Sequence, residues 1–161
     1  VKYIPPKKGK SHILRIVREL LYAKSDGKGT SISKALDFVM KVSKRKSVVF
    51  LLSDFIDEDY WDSLKITNRK HDFIGIKISD PYEIDLPNIG MFKVEDSESG
   101  DTFWVDTSNH NELKQMNDMN RKKNDDLFIK SKKLGIDIIP ISTSENYIDP
   151  LMKFFKERGK K

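Results

Sequence analysis

Five consecutive apolar residues, Val48 to Leu52, constrain the fold of this chain more than any other feature of its sequence. The run is rich in β-branched and aromatic side chains, and it lacks the alternation of a strand with one face in water. Such a run is typical of a strand buried on both faces, as in parallel sheets covered by helices. The sequence therefore predicts a parallel sheet sandwiched between helices.

Segments of helical and strand character alternate along the chain, which predicts an α/β fold with a mostly parallel sheet flanked by helices. Residues 91–107 break the rhythm, because two short alternating runs flank a Ser-Glu-Ser-Gly turn and predict a β-hairpin insertion. The length of 161 residues suits one domain, residues 1–161. The predicted helices cover residues 11–24, 31–45, 57–71, 108–134 and 149–159, and the predicted sheet strands cover 47–54, 72–80 and 135–143.

The first predicted helix is amphipathic. Its apolar residues recur at helical spacing and form one stripe, with Ser11 as the expected N-cap. The stripe consists of Ile13, Ile16, Val17, Leu20 and Leu21.

Apart from the hairpin, the sequence offers three strands for the parallel sheet, so one edge of that sheet is predicted to lack a neighbour. The run from Val48 to Leu52 needs a strand on each side. A long, apolar, unpaired edge favours pairing with another chain. We therefore expect a homodimer or a domain swap through this edge.

The charge distribution argues against a nucleic-acid-binding protein. The net charge of +5 comes from the ends, since residues 1–30 carry eight Lys/Arg and two acidic residues, and residues 151–161 carry five and one. A nucleic-acid-binding domain more often spreads positive charge over a face of its folded core. If the two ends lie together, they form a basic surface for acidic partners or nucleic acid. Its side chains would be Lys7, Lys8, Lys10, Arg15, Arg18, Lys156, Arg158, Lys160 and Lys161.

The composition fits a cytoplasmic protein without a membrane span. The sequence has no cysteine, which excludes disulfides and thiolate metal sites. It contains no apolar run of about 18 residues, as a membrane-spanning helix requires. No apolar segment follows the charged start, so a signal peptide is not expected.

Polar side chains at the ends of the predicted strands mark a candidate functional site. Asp54 ends the first strand, Asp80 ends the second, and Thr30 opens the helix before the first strand. Ligands in open α/β sheets bind at the carboxyl ends of the strands. A hydroxyl and a carboxylate that meet there would suit Mg²⁺. The alternative is that Thr30 and Asp54 cap helices.

Asp80 and Glu83 lie in a proline-containing connection and allow two interpretations. They could form a general acid/base pair, or they could hold backbone amides in a rigid turn, which is the commoner role. His12, His71 and His110 lie near no nucleophile motif and are interpreted as surface or capping residues.

Taken in order, several segments resemble the DUF58 proteins, which are bacterial relatives of the von Willebrand factor A (vWA) domain. The most specific segment is HDFIGIKISDPYEIDLPNIG, and the others are YIPPKKGKSHILRIVRELL, GTSISKAL, KSVVFLLSDFID, EDSESGDTFWVDT, GIDIIPIST and LMKFFKERGKK. The resemblance covers essentially the whole chain and implies the C-terminal part of a three-layer, Rossmann-like vWA domain. It implies that the first strand, its helix and the next strands would lie before Val1.

The resemblance also implies part of a metal site. vWA domains often hold Mg²⁺ between three loops, of which the second supplies a Thr, matched by Thr30, and the third an Asp, matched by Asp54. The first loop, Asp-x-Ser-x-Ser, is absent from this sequence. We therefore expect Mg²⁺ to bind weakly or not at all here, even if a full-length protein binds it. Asp57, Glu58 and Asp59 are then interpreted as the start of the next helix, favoured by its dipole.

The resemblance implies a partner and a role. DUF58 proteins are typically encoded beside MoxR-type AAA+ ATPases, and are thought to act with them as chaperone-like factors in the assembly or activation of protein complexes. The expected function is thus a non-catalytic protein-interaction module with Asp80 and Glu83 on its binding rim. The alternative is a metal-assisted hydrolase that uses Asp54, Asp80 and Glu83.

Overall fold

The computed structural model describes residues 2–23, 30–57, 59–95 and 100–160. Within these ranges the chain forms six helices and five strands, in an alternating order interrupted by one hairpin. The helices are α1 (Lys10–Leu21), α2 (Ile32–Val42), α3 (Trp61–Lys70), α4 (Pro81–Ile84), α5 (His110–Lys133) and α6 (Ile148–Arg158). The strands are β1 (Val48–Ser53), β2 (Asp72–Ser79), β3 (Met91–Glu95), β4 (Thr102–Asp106) and β5 (Asp137–Ser142).

The main sheet has three parallel strands in the order β1-β2-β5, with β2 in the centre. Val48 of β1 lies opposite Asp72 of β2, and Ile74 of β2 lies opposite Asp137 of β5. β3 and β4 form a separate antiparallel pair. The predicted α/β class, with a parallel sheet, flanking helices and a hairpin insertion, is confirmed. Of the predicted Ser-Glu-Ser-Gly turn, residues 97–99 lie outside the described residues.

Helices cover the two faces of this sheet unequally. On one face, α2, α3 and α5 pack a core that contains Leu36, Leu64, Phe73 and Leu127. On the other face, α6 covers a smaller cluster whose buried members lie on β2 and β5; Leu151 and Phe154 of α6 pack against Ile74, Ile76 and Ile139. None of the described helices is long and apolar enough to cross a membrane.

The expectation that β1 is buried on both faces is wrong. Burial alternates along the strand: Val48, Phe50 and Leu52 are exposed, whereas Val49 and Leu51 are half-buried and pack against the core. The cause is the position of β1 at the edge of the sheet, because α6 lies over β2 and β5. Phe155 of α6 reaches β1 through an edge contact with the Phe50 ring, with centroids 6.3 Å apart. The prediction of an unpaired edge is confirmed, since β1 pairs only with β2 among the described strands.

Helix α1 forms as predicted, but it starts at Lys10 with Gly9 as its N-cap, so the expected Ser11 cap is wrong. Among its apolar residues, Ile13, Val17, Leu20 and Leu21 are exposed, and α1 contains no buried residue. Two contacts hold this end of the chain. The ring of Tyr3 meets Phe38 of α2 at 5.7 Å between centroids, and Lys2 forms an ion pair with Glu19.

Candidate functional site

A pocket of about 510 Å³ opens where β1 and β2 end, at the place where the sequence predicted a site. We call it the rim pocket. The loop after β1, the start of α3, the end of β2, helix α4 and the second half of α5 form its walls. Its charged and amide side chains are those of Asp54, Asp57, Lys77, Glu83, Asn120, Lys123, Asn124, Asp126 and Lys130.

The loop after β1 is held in a defined conformation by Asp54. Its Oδ1 accepts hydrogen bonds from the Ile56 amide (3.0 Å) and from the Ser53 hydroxyl (3.3 Å). Phe55 then adopts a positive φ of 60°, which few residues other than glycine tolerate, and its ring is buried in the core. The ring fits because β2 carries Gly75 beneath it, where an added Cβ would lie 3.0 Å from Phe55 Cζ. Asp54 therefore shapes this wall of the pocket and stays exposed.

Asp57 links this loop to the start of α2. Its Oδ2 accepts a 2.7 Å hydrogen bond from the amide of Ile32, the first residue of α2. The interpretation of Asp57 as the start of the next helix is thus wrong, because α3 begins at Trp61. Glu58 lies outside the described residues. The Asp57 carboxylate therefore lies at the N-terminus of α2, where the positive end of the helix dipole stabilises its negative charge.

Thr30 precedes α2 but is not its cap. The N-cap is Ser31, whose Oγ accepts a hydrogen bond from the Lys34 amide at 3.4 Å. Thr30 therefore lies one residue outside the helix, on the side of α2 that Asp57 contacts. Asp57 accepts a hydrogen bond that joins the loop after β1 to α2.

Asp80 and Glu83 form a capping box around the short helix α4. Asp80 Oδ1 accepts from the Tyr82 amide (2.9 Å), and Glu83 Oε2 accepts from the Asp80 amide (3.2 Å). Asp80 Oδ2 also accepts from the Thr143 hydroxyl at 2.9 Å, which ties the end of β2 to the segment after β5. These contacts are those of carboxylates that hold backbone amides, the commoner of the two interpretations.

Lys77 is the residue of this site that sequence reasoning missed. It lies near the end of β2, its side chain is only 9% exposed, and it lines the rim pocket. Burial lowers the pKa of Lys77, and the nearby carboxylates of Glu83 and Asp54 oppose that shift. One signal could have found it: Lys77 is the only charged residue within the apolar run Phe73 to Ser79.

The α5 wall combines cations with an aromatic surface. Lys130 Nζ lies 4.1 Å from the centre of the Trp61 ring, and Trp61 stacks on Tyr60 with centroids 5.0 Å apart. Burial raises the pKa of Tyr60 to about 12, and the charge of Asp57 acts in the same direction. The phenol is therefore neutral at physiological pH. The pocket thus has an apolar, aromatic side next to its charged side chains.

A metal ion finds few ligands at this rim. The part of the chain that the structure describes contains no group of three or more His, Asp or Glu side chains arranged to hold one. One Asp54 oxygen already accepts two hydrogen bonds, and the Lys77 ammonium lies in the same pocket. Mg²⁺ prefers several oxygen ligands in octahedral geometry. The described residues therefore bring together no set of three carboxylate or imidazole ligands for Mg²⁺.

His71 is buried and is the C-cap of α3, so of the two predicted roles, surface or capping, the capping role is confirmed and the surface role is wrong. It lies directly after α3 at 2% exposure, and its Nδ1 accepts a 3.3 Å hydrogen bond from the Ser47 amide. Its Nε2 has no hydrogen-bond partner among the described residues. Burial lowers the pKa of His71, and the charge of Lys70 acts in the same direction. His71 thus joins the starts of β1 and β2, away from the rim pocket.

Arg158 does not belong to a free basic surface. Its guanidinium forms an ion pair with Asp72 and lies 3.7 Å from Asp137 Oδ2, so it pins the end of α6 to β2 and β5.

Comparison with known proteins places the chain among proteins without an assigned function. A family model described as "Protein of unknown function DUF58" matches residues 1–126. An uncharacterized protein of Mycobacterium avium is 24% identical over 130 residues, which cover 79% of this chain and 75% of that protein. Uncharacterized proteins of Mycobacterium bovis and Mycobacterium tuberculosis are each 26% identical over 101 residues, or 60% of this chain and 32% of theirs. No solved structure shows a significant match.

Proposed function

The chain belongs to the DUF58 family, and from that premise we propose that it is a non-catalytic, vWA-like protein-binding module. The partner that its resemblance to such proteins implies is a MoxR-type AAA+ ATPase, with which it would assemble or activate protein complexes in the cytoplasm. Because this chain spans about a third of the Mycobacterium bovis and Mycobacterium tuberculosis relatives, the proposal concerns the surfaces that this chain carries.

The observation that carries the proposal is the edge of β1, which among the described strands pairs only with β2. Val48, Phe50 and Leu52 are 56%, 46% and 60% exposed. The Ser47 carbonyl accepts a hydrogen bond from the Asp72 amide, so the odd-numbered residues direct their main-chain groups toward β2. The main-chain groups of Val48, Phe50 and Leu52 therefore line the free edge. Proteins recognise extended segments by adding them to such an edge.

The rim carboxylates support a binding role over hydrolysis. Asp54, Asp80 and Glu83 each accept a hydrogen bond from a main-chain amide, which commits them to holding loops in place. A metal-assisted hydrolase needs an ion with open coordination and a base that activates water. The described residues do not place three acidic or histidine side chains together, so this binding role does not depend on a resident Mg²⁺.

Binding to a MoxR-type ATPase tests the proposal. The chain is immobilised, and the ATPase is titrated by biolayer interferometry with and without ATP. Leu52→Glu places a charge on the open edge, and we expect it to weaken binding about tenfold or more, as for a central interface residue. Ile66→Glu is the matched control, because Ile66 is 54% exposed on α3, away from β1. An equal loss of affinity in both variants, or no binding by the unmodified chain, would contradict the proposal.

The same edge suits pairing with a second copy of the chain, and we propose a concentration-dependent homodimer. Size-exclusion chromatography with light scattering should show a dimer that Leu52→Glu converts to a monomer and Ile66→Glu leaves intact. A dimer that survives Leu52→Glu would place the contact elsewhere.

A further inference from the structure

Helix α1 exposes a continuous apolar face to solvent. Five of its apolar side chains are between 46% and 75% exposed, and α1 contains no buried residue. Because these five recur at helical spacing, they form one stripe, which we call the open face. The residues of the open face are Ile13, Leu14, Val17, Leu20 and Leu21. Contiguous exposed apolar surface of this kind is typical of an interaction site.

A different face of α1 lies against the rest of the chain. His12, Ile16 and Glu19 follow one another at spacings of four and three residues, and all three are half-buried. Glu19 also forms an ion pair with Lys2, which precedes the helix. Since these residues lie on the side of the helix away from Leu14 and Leu21, the open face points away from the elements that hold α1.

Positive charge surrounds the open face. Residues 2–23 carry six Lys/Arg and one acidic residue, Glu19. Five of the six cations are exposed and form no ion pair within the part of the chain that the structure describes. They are Lys7, Lys8, Lys10, Arg15 and Arg18. Arg15 and Arg18 lie on the third side of the helix, and Lys10 starts the helix one turn before Leu14 of the open face.

We propose that α1 binds the surface of an anionic lipid bilayer, with its axis parallel to the membrane plane. A helix with an apolar face and Lys/Arg around it is typical of such interfacial binding. The open face would enter the boundary between headgroups and acyl chains, and the cations would contact the anionic headgroups, which their long side chains can reach. At 12 residues, α1 is shorter than the roughly 20 residues that a membrane-spanning helix needs.

Charge complementarity selects lipid as the occupant of this face. The cations lie along the whole length of the open face, and an anionic bilayer presents negative headgroups and apolar chains side by side over the same length. An acidic protein and a second copy of the chain are the other occupants, and the experiments below distinguish them.

Binding to lipid vesicles tests the inference on the unmodified chain. Vesicles of phosphatidylcholine and phosphatidylserine in equal parts are compared with vesicles of phosphatidylcholine alone, and bound protein is measured by sedimentation. We expect binding to the anionic vesicles that is at least about tenfold tighter and that weakens at high salt. Equal binding to both kinds of vesicle, or binding to neither, would overturn the inference.

Removing two cations tests the electrostatic part. The double variant Arg15→Gln, Arg18→Gln should bind the anionic vesicles about twentyfold more weakly, because each Lys or Arg at such a surface contributes about a factor of five. Lys114→Gln with Lys122→Gln is the matched control, since both lysines are exposed on α5. An equal loss of affinity in the two double variants would contradict the role of α1.

Two changes on the open face test its insertion. Leu20→Gln with Leu21→Gln should abolish vesicle binding, and it should leave the melting temperature unchanged because both side chains are exposed. Ile66→Gln, at an exposed position of α3, is the control and should bind normally. Vesicle binding that survives the double leucine change would overturn the inference, because charge alone would then hold the chain on the lipid.

A fluorescent label reports where α1 lies. The sequence has no cysteine, so Leu14→Cys and Lys122→Cys each accept one environment-sensitive dye. We expect the dye at position 14 to become brighter when anionic vesicles are added and the dye at position 122, on α5, to stay unchanged. Equal changes at both positions would contradict the proposed orientation.

The other occupants of the open face give different results. Binding to poly-glutamate without binding to vesicles would assign the face to an acidic protein and overturn the inference. A dimer that the double leucine change dissociates, in a chain that does not bind vesicles, would assign the face to a second copy and also overturn it. Vesicle binding without ATPase binding would refute the proposed partner and support the lipid surface, and the reverse result would refute the lipid surface alone.

Discussion

Strands β1 and β2 have similar apolar sequences and different surroundings. β2 has a strand on each side and helices over both faces, and Phe73 and Ile74 are 1% and 0% exposed. Among the described strands β1 has one neighbour, and α6 leaves most of its outer face open, so Phe50 is 46% exposed. The two strands are in register, with Phe50 opposite Ile74.

The difference shows that apolar composition and burial carry separate information. On β2 the apolar side chains stabilise the fold. On β1 the alternate side chains remain on the surface, and exposed contiguous apolar surface is typical of interaction sites. The comparison therefore assigns stability to the centre of the sheet and supports the binding role that we propose for its edge.

The largest expected effect comes from truncating the same side chain on each strand. Phe73→Ala removes a fully buried ring and should lower the free energy of unfolding by about 3–5 kcal/mol. Phe50→Ala should lower it by at most about 1.5 kcal/mol, because half of the ring already contacts water. Urea denaturation measures both values. Similar losses for the two variants would show that β1 is covered in solution.

Enlarging a side chain should also change the stability more on β2 than on β1, and this difference should be smaller than the one caused by truncation. Gly75→Ala places a Cβ 3.0 Å from Phe55 Cζ and 3.2 Å from Ile138 Cγ1, and should destabilise the fold by about 1–2 kcal/mol through overpacking. Leu52→Phe adds more volume at an exposed position and should change stability by less than about 0.5 kcal/mol. Thermal melts measure both changes. A neutral Gly75→Ala would indicate that the Phe55 ring moves away easily.

The smallest effect is a pH dependence at the start of β2. Burial lowers the pKa of His71 below its ordinary value of 6.5, so the unfolded chain takes up a proton near pH 6.5 while the folded chain resists it. The contribution of His71 to the free energy of unfolding should be constant above pH 6.5 and should decrease as the pH is lowered below 6.5. His71→Asn should flatten the fall between pH 7 and pH 5, and His110→Asn, at an exposed site, should not. Identical profiles for the unmodified chain and His71→Asn would contradict this account.

Local patterns predicted the elements of this fold well. The alternation of segments predicted the strands and helices, the turn residues predicted the β3–β4 hairpin, and the strand count predicted the open edge. The same patterns could not predict burial. An apolar run identifies a strand but does not show how many elements cover it, so β1 was placed in the interior. Which helix lies over which strand depends on contacts distant in sequence, such as that between Phe50 and Phe155.

The candidate site was predicted in position and only partly in composition. The carboxyl ends of β1 and β2 do form a pocket, and Asp54 and Glu83 line it. Asp57 was assigned to the wrong helix, because its bond to Ile32 spans 25 residues that local spacing does not relate. Lys77 was overlooked because a lysine in a strand is usually at the surface, whereas here it lines a pocket together with residues of α5. That Thr30 and Asp54 belong to one Mg²⁺ site stays a prediction.

Amide hydrogen exchange along the sheet tests the central claim most directly, that β1 is an open edge used for binding. It is measured by NMR on the dilute free chain and again with the MoxR-type ATPase present. The account predicts fast exchange at Phe50 and Leu52 in the free chain, slow exchange throughout β2, and new protection of Phe50 and Leu52 when the ATPase is added. Equal protection of β1 and β2 in the free chain, or no change at Phe50 and Leu52 upon ATPase binding, would contradict it.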